Sequence, residues 1–302
     1  MKILVTGASG MIGTCLCENL LSKNFEVIGM DIKHNKFSKE VDNITKIIDL
    51  RDFESTLSAF SGNIDIVIHL AANARVYDLI KDPELSKDNL ITTFNVLEAC
   101  RLKNINKIIF SSSREVYGNS SKECLEQNVD ISNCENTYSA SKISNEVFIR
   151  SYQKSYGINY IILRLSNVYG RYDLSDRVIP LFIKKIKNKE NITIYGGKSK
   201  YLDFIFIEDV ADVIINSISN FKNYENLTFN VANNEKVPIF ELSKLLQELM
   251  DKKVEIYFEE NRTGETMNYC PNSDKIKKIM KWTPKVNLKE GLKKSIEWYQ
   301  KY

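Results

Sequence analysis

Histidine is almost missing from this 302-residue chain, which has only His34 and His69. The six cysteines do not make up the deficit. Cys15 and Cys17 lie two apart on an expected helix and so face different ways, while Cys124, Cys134 and Cys270 lack metal-ligand spacing. No metal centre is expected, and free thiols in a reducing compartment are. Long apolar runs are missing as well. None approaches the ~18 residues of a membrane span, and Met1-Lys2 leads at once into ILVT, too short for the apolar stretch of a signal peptide. A cytoplasmic protein is the expectation. Charge of one sign is also scarce. A net +3 is too small to imply nucleic acid as the main partner, and the Lys-rich runs at 184–189 and 274–281 read as solvated helix faces. There is no internal repeat and no low-complexity linker.

What is present is an ordinary globular balance, 43% hydrophobic and 27% charged, in a chain long enough for one large domain or two sharing a cleft. Short apolar runs alternate with helix-period stretches: KILVT, FEVIGMD, ITKIIDL, IDIVIHLAA, KIIFSSS and INYIILRLS, with helical segments between them. Such alternation predicts βαβ units in a parallel sheet covered on both faces, an α/β fold of the doubly wound Rossmann type. From about Asn167 the order loosens. The reading is a Rossmann domain over 1–166 and a smaller α/β lobe over 167–302, whose chain returns to the sheet near 203–235. Pro180, Pro238 and Pro284 fall where helices begin or loops turn.

Tyr138 and Lys142, in YSASK, stand four apart. On a helix that spacing puts both on one face, and a fixed cation beside a phenol favours the phenolate, bringing a poor base toward the working pH range. A solvated helix face would carry the same pair, so company matters. Gly7, Gly10 and Gly13 come after the first strand and open a helix: a tight turn, a close backbone approach to a pyrophosphate, and helix–strand packing. The anion would rest on the free N–H groups of the helix start. Asp31, 18 residues past Gly13, ends the second strand. A carboxylate there binds ribose hydroxyls and repels a 2′-phosphate, so NAD is favoured, with Lys33 and Lys36 leaving NADP open. After the third strand, Asp52 reads as a helix cap, compatible with adenine contacts from Asp49 and Leu50.

The ordered motifs TGASGMIG (6–13), DLRD (49–52), HLAA (69–72), DNLITTFNVLEAC (88–100), SSSREVYG (111–118), YSASK (138–142) and RLSNVYGR (164–171) resemble the extended short-chain dehydrogenase/reductases. Within them, they resemble the NAD-dependent nucleotide-sugar epimerases and dehydratases. YLDFIFIEDVA (201–211), FNVAN (229–233), NRTGE (261–265) and WTPKVNLKEGL (282–292) carry the likeness almost to the end. The resemblance implies NAD held by Gly7, Gly10, Met11, Ile12, Gly13, Asp31, Asp49, Leu50, Leu70, Ala71 and Ala72, with Tyr138 and Lys142 at its nicotinamide end. It implies that Tyr138 takes the proton of a sugar 4-hydroxyl as C4 gives up hydride. Ser113 would bond the same oxygen, and Lys142 would lower the Tyr138 pKa and hold the ribose. A 4-keto sugar results, from which epimerisation, 4,6-dehydration or decarboxylation branch.

The two residues after Ser113 bear on the branch. Dehydratases of this family carry Asp-Glu there; this chain has Arg114-Glu115. Arginine stays protonated and cannot act as the acid, which weakens dehydration, although Glu115 remains a candidate C5 base. Arg114 can pair a substrate carboxylate, or turn outward, or bridge the lobes. The resemblance makes Asn167 and Arg262 ligands of a diphosphate. Leu202 stands where the family carries an arginine, so that grip falls to Lys200 or Tyr201. Arg75 and Tyr77 can line the sugar pocket. The polar stretch Gly118–Asn136 is expected to be a mobile cover. The favoured reading is an NAD-dependent 4-epimerase of a UDP-hexose or related nucleotide-diphosphate sugar. A dehydratase or a uronate decarboxylase or epimerase using Glu115 comes second. A non-catalytic NAD-binding sensor is the reading from another class, one that would not need Ser113, Tyr138 and Lys142. The resemblance further implies a homodimer through the helix after Pro83 and the Tyr138 helix.

Overall fold

A computed structural model of the chain describes residues 1–119, 123–266, 268–269 and 271–301. The first half alternates as the sequence predicts: β1 (Lys2–Thr6), α1 (Met11–Ser22), β2 (Glu26–Asp31), α2 (Lys39–Ile44), β3 (Thr45–Ile47), α3 (Phe53–Ala59) and β4 (Ile66–His69). Then come α4 (Val76–Lys81), α5 (Glu84–Leu102), β5 (Lys107–Ser113), a 3-10 turn at Arg114–Tyr117, α6 (Thr137–Tyr156) and β6 (Asn159–Leu165). The second half holds shorter pieces: β7 (Asn167–Tyr169), α7 (Val178–Lys187), β8 (Ile192–Tyr195), β9 (Tyr201–Leu202), β10 (Phe204–Phe206), α8 (Ile207–Ser219), α9 (Phe221–Tyr224) and β11 (Leu227–Val231). It closes with β12 (Val237–Pro238), α10 (Ile239–Met250), β13 (Ile256–Glu259), α11 (Asp274–Met280) and α12 (Leu288–Lys301).

Seven strands form one parallel sheet in the order β11-β6-β5-β4-β1-β2-β3, a Rossmann-type doubly wound fold. The side-chain period of two sorts the strands onto two cores. Ile3, Val5, Ile66, Ile68, Ile109 and Ile161 face one layer with Leu16 and Leu20 of α1 and Val210 and Ile214 of α8. Leu4, Val67, Ile108, Phe110 and Ile162 face the other with Val96 and Leu97 of α5 and Ile149 and Tyr152 of α6. Burying both faces explains why these strands read as continuous apolar runs. Direction reverses at β1, whose neighbours are β2 on one side and β4 on the other, so the cleft opens beyond the carboxyl ends there.

β11 reaches the sheet from the second half of the chain, in register Val231 opposite Leu165. The other late strands pair off: β7 with β10, β8 with β13, β9 with β12. Pro180 sits in the first turn of α7, and Pro238 caps α10. In α7 the residues Ile179, Phe182, Ile183 and Ile186 are buried while Lys184, Lys185 and Lys187 crowd the last turn, so the lysine run is a solvated face, with its cations at the negative end of the helix dipole. No helix among the described residues is long and apolar enough to cross a membrane.

Candidate active site

A cleft of about 420 Å³ runs from the first βα turn to the late strands. At one end Gly7 takes φ +72°, and a Cβ there would meet the Ala71 backbone nitrogen at 2.8 Å. A Cβ on Gly13 would lie 2.0 Å from the Gly7 carbonyl oxygen, so the helix can pack on the strand only with glycine. Gly10 caps α1 with no side-chain hydrogen bond and no acid in the first turn, which leaves the N–H groups of the helix start free for an anion. Met11, Ile12, Leu70 and Ala72 line the same end.

Asp31, at the end of β2, does not itself line the cavity. Its carboxylate accepts Ser9 N–H at 2.9 Å and Lys33 N–H at 3.1 Å, and burial raises its pKa against those bonds. The buried Ser9 hydroxyl beside it has no protein partner. A bare glycine cradle, a free helix N-terminus and a carboxylate with an idle hydroxyl next to it fit a dinucleotide. Asp49 and Leu50 lie outside the cavity: the Asp49 carboxylate is gripped by Arg51 at 2.7 Å, and the Leu50 side chain is buried in the core. Ala71 contributes backbone, hydrogen-bonded from its N–H to Thr6 Oγ1 at 3.3 Å.

The chemistry sits past the end of β5. Ser113 ends the strand; its hydroxyl accepts Glu115 N–H at 3.2 Å and lies close enough to the Tyr138 phenol to act on it. Asn136 caps α6 through Ser139 N–H, which aims the first turn and Tyr138 at the cleft. Lys142 comes one turn later, wholly buried, with Nζ donating to the Ser111 carbonyl at 2.8 Å and standing 5.8 Å from the Tyr138 ring centroid. Burial lowers its pKa to about 8, opposed by the Glu146 carboxylate.

The phenol departs from the expectation drawn from sequence. Burial holds the Tyr138 pKa above its ordinary value; the Ser113 hydroxyl and the charges of Arg177 and Arg114 pull it down, and Glu115 pushes it up. Lys142 is spent on the Ser111 carbonyl and is not among these influences. The cation that the spacing promised is present, aimed at the strand rather than the phenol oxygen. His69, at the end of β4, is buried and neutral, its pKa lowered to about 3, between the hydroxyls of Thr6 at 2.8 Å and Thr93 at 3.1 Å.

Arg114 lines the cavity with much of its guanidinium engaged by the protein. Its Nη2 pairs with Glu115 Oε1 at 2.7 Å, its Nε donates to Asn167 Oδ1 at 3.2 Å, and its guanidinium lies 5.2 Å from the Tyr269 ring centroid. Thr266 Oγ1 donates to the other oxygen of Glu115 at 2.9 Å. Both carboxylate oxygens of Glu115 are thus occupied.

At the far end every cation has a protein partner. Lys200 Nζ binds Asn261 Oδ1 at 2.9 Å and Glu265 Oε2 at 3.2 Å, and burial lowers its pKa. Arg262 lies between two rings, 3.9 Å from the Tyr195 centroid and 4.9 Å from that of Tyr77, with Glu265 at 3.5 Å. Arg75 pairs with Asp176, and Arg177 with Asp173 at 3.7 Å. Asn167 Nδ2 donates to the Asp203 carbonyl at 2.7 Å. Leu202, in the place of the family's arginine, is buried against the cavity.

Sequence reasoning missed Tyr195, Thr266, Asp176 and Arg177, all of which line the cavity. None sits in a spacing that marks a site. The segment 123–136 is not the cover it was expected to be. None of it lines the cavity, and Glu126 pins it to the sheet by accepting Asn230 N–H at 2.9 Å while its carbonyl takes Arg164 Nη1 at 2.9 Å. Residues 120–122 of that stretch lie outside the described ones. Cys15, Cys17, Cys100 and Cys134 are free; burial raises the Cys15 thiol to about 12, and Cys134 does not line the cavity.

A glycine cradle and a Ser–Tyr–Lys cluster share one cavity, an arrangement that suits a dinucleotide-dependent enzyme. The chain belongs to the NAD dependent epimerase/dehydratase family, whose model matches residues 3–232. A putative UDP-glucose 4-epimerase of Methanocaldococcus jannaschii is 30% identical, over 98% of this chain and 97% of its own. The UDP-glucose 4-epimerase of Thermotoga maritima, solved with UDP-glucose, superposes with a TM-score of 0.90 at 27% identity over 100% of this chain and 99% of its own. That of Thermus thermophilus, solved with NAD, gives 0.89 at 28% identity over 99% of each chain. NAD is the cofactor of the family, and the cradle fits it.

Proposed function

We propose that the protein is an NAD-dependent 4-epimerase of a UDP-hexose or related nucleotide sugar, working through a transient 4-keto sugar. One observation carries this reading: the Ser113–Tyr138 pair stands at the end of β5 in the same cavity as the glycine cradle, with Glu115 fully engaged beside it. Bound NAD supplies the acceptor and donor of hydride at C4. Tyr138 takes the proton of the 4-hydroxyl and returns it, and Ser113 steadies the oxygen through both steps. Lys142, which lines the same cavity, would hold the nicotinamide ribose by exchanging its bond to the Ser111 carbonyl. The cradle residues Gly7, Gly10, Met11, Ile12 and Gly13 hold the pyrophosphate, and Asp31 holds the ribose. Arg262, Lys200 and Asn167 take the substrate diphosphate by exchanging their present partners for its oxygens, and Arg75 borders the sugar. Residues 1–166 serve as the cofactor domain and 167–302 mainly as the substrate lobe.

The Arg114–Glu115 pair supports epimerisation over dehydration or decarboxylation. Glu115 already accepts from Arg114 on one carboxylate oxygen and from Thr266 on the other, where a base for C5 needs an oxygen free to approach the sugar. The sensor reading is countered by a buried Ser–Tyr–Lys cluster that dinucleotide binding alone does not need. Purified protein supplied with UDP-glucose, UDP-N-acetylglucosamine and UDP-glucuronate decides the matter. A product of unchanged mass with an altered C4 coupling is expected, and Tyr138→Phe should abolish it with NAD still bound. No turnover on any nucleotide sugar, with NAD binding intact, would leave the sensor standing.

The reading extends to a homodimer. Phe94 of α5 and Val147 and Phe148 of α6 are exposed on adjacent outer faces, and Phe94 meets Phe148 at 6.2 Å between centroids. Four helices from two copies would cover them. Light scattering should give twice the 34.8 kDa chain mass, and Phe94→Asp with Phe148→Asp should give the monomer. Free thiols and the nucleotide-sugar substrate fit a cytoplasmic location.

A further inference from the structure

Glu146 lies on α6 one turn beyond Lys142, which lies one turn beyond Tyr138, so the three share one helix face. It is 5% exposed, and a buried carboxylate needs a reason. Arg164 of β6 supplies part of one, with Nε to Oε1 at 2.9 Å and Nη2 to Oε2 at 2.7 Å; Arg150 of α6 adds a bond at 3.1 Å. The remaining bond is the informative one. Ser112 Oγ donates to Glu146 Oε1 at 2.7 Å. Ser112 lies between Ser111, whose carbonyl receives Lys142, and Ser113, whose hydroxyl acts on the Tyr138 phenol in the same cavity. A single buried carboxylate therefore fastens the strand that presents the serines to the helix that presents the tyrosine and lysine.

We propose that Glu146 is a positioning residue of the active site: it registers α6 against β5 and supplies the negative charge that keeps the buried Lys142 an ammonium ion. The surroundings of Lys142 single Glu146 out. Lys142 is faced by Tyr138 and Glu146 on α6, by the Ser111 carbonyl and the Phe110 ring on β5, and by His69 on β4, which is neutral. Glu146 is the anion in that set. Arg164 and Arg150 offset part of its charge from the side away from Tyr138, but the carboxylate is the charge one turn from Lys142 that acts on the ammonium. Burial brings the Lys142 ammonium down to about 8 even with Glu146 present. Without the carboxylate the ammonium would be lost at a lower pH.

The inference rests on the epimerase reading only for what Lys142 faces; its test does not need a substrate. The Lys142 side chain is titrated by NMR in NAD-bound protein labelled at lysine ε-carbons, with the resonance assigned by its absence in Lys142→Met. In Glu146→Gln, which keeps the shape and the Ser112 bond, the midpoint should fall by roughly 1 pH unit. The alkaline limb of turnover, measured on whichever nucleotide sugar is active, should move to lower pH by the same amount. Should Glu146→Gln fail to fold, the double variant Glu146→Gln/Arg164→Met removes both charges of the pair, an exchange buried pairs tolerate, and the same fall is expected. A folded variant of either kind with an unmoved Lys142 midpoint overturns the proposal and leaves Glu146 a structural ion pair. A moved midpoint with no turnover on any sugar would keep this inference and sink the epimerase reading.

Discussion

The two ends of the cleft are built from different materials. The cofactor end is mostly backbone: glycines that admit no Cβ, the bare N-terminus of α1, and a carboxylate fixed by two backbone N–H groups. The substrate end is side chain, and its cations are already paired, Lys200 with Glu265, Arg75 with Asp176, and Arg262 between two tyrosines. A backbone site is ready before its ligand arrives and loses little on binding. A site of paired charges must break its pairs to bind, which costs affinity and adds selectivity. The arrangement suits a cofactor that stays through every turnover and a substrate that must leave.

Substitutions can break that contrast, and the largest effect belongs to the backbone end. Gly13→Ala places a methyl 2.0 Å from the Gly7 carbonyl, so purified variant should carry no NAD by absorbance and show no turnover. Tyr138→Phe comes next. It should keep NAD and lose about 10²–10⁴ in kcat, the usual worth of a general base. At the substrate end, Lys200→Ala or Arg262→Ala should raise KM about 10-fold to 100-fold with kcat less affected, since each removes a charge-assisted bond of about 1.5–3 kcal/mol. Glu115→Gln should change kcat only a few-fold, whereas a catalytic C5 base would cost hundreds.

The contrast sharpens in stability. Lys142 has a folded-state pKa near 8, below the unfolded ~10.4. Between those values the unfolded chain holds the extra proton, so this group makes stability rise with pH from about 8 upward and costs stability at neutral pH. Lys142→Met should raise the denaturation midpoint at pH 7, by the equivalent of about 1–2 kcal/mol, while abolishing turnover. A lowered midpoint would mean that the bond to Ser111 outweighs the burial of charge.

Much of the cofactor end was legible because its logic is local. Gly7, Gly10 and Gly13 answer to one turn, Asp31 to the end of the next strand, and Tyr138 and Lys142 to one helix face; the alternating apolar runs marked the sheet. The substrate end was legible only through the family resemblance, which pointed to Asn167 and Arg262 without their partners. Thr266 reaches Glu115 across 151 positions and Lys200 reaches Glu265 across 65, separations that no periodicity encodes. The direction of Lys142 was also out of reach. Spacing says which face a side chain shares; packing on β5 decided that its ammonium meets a carbonyl instead of a phenol. The same holds for the segment 123–136, polar in sequence yet fastened to the sheet through Glu126.

The central claim is that this cleft oxidises and re-reduces C4 while Glu115 stays idle at C5. Turnover of the active UDP-sugar in D₂O, with the product read by mass and proton NMR, tests it directly. The account predicts a product of unchanged mass, inverted at C4, with its C4 hydrogen retained and no deuterium at C5. Deuterium at C5, or loss of water or carbon dioxide, would contradict it.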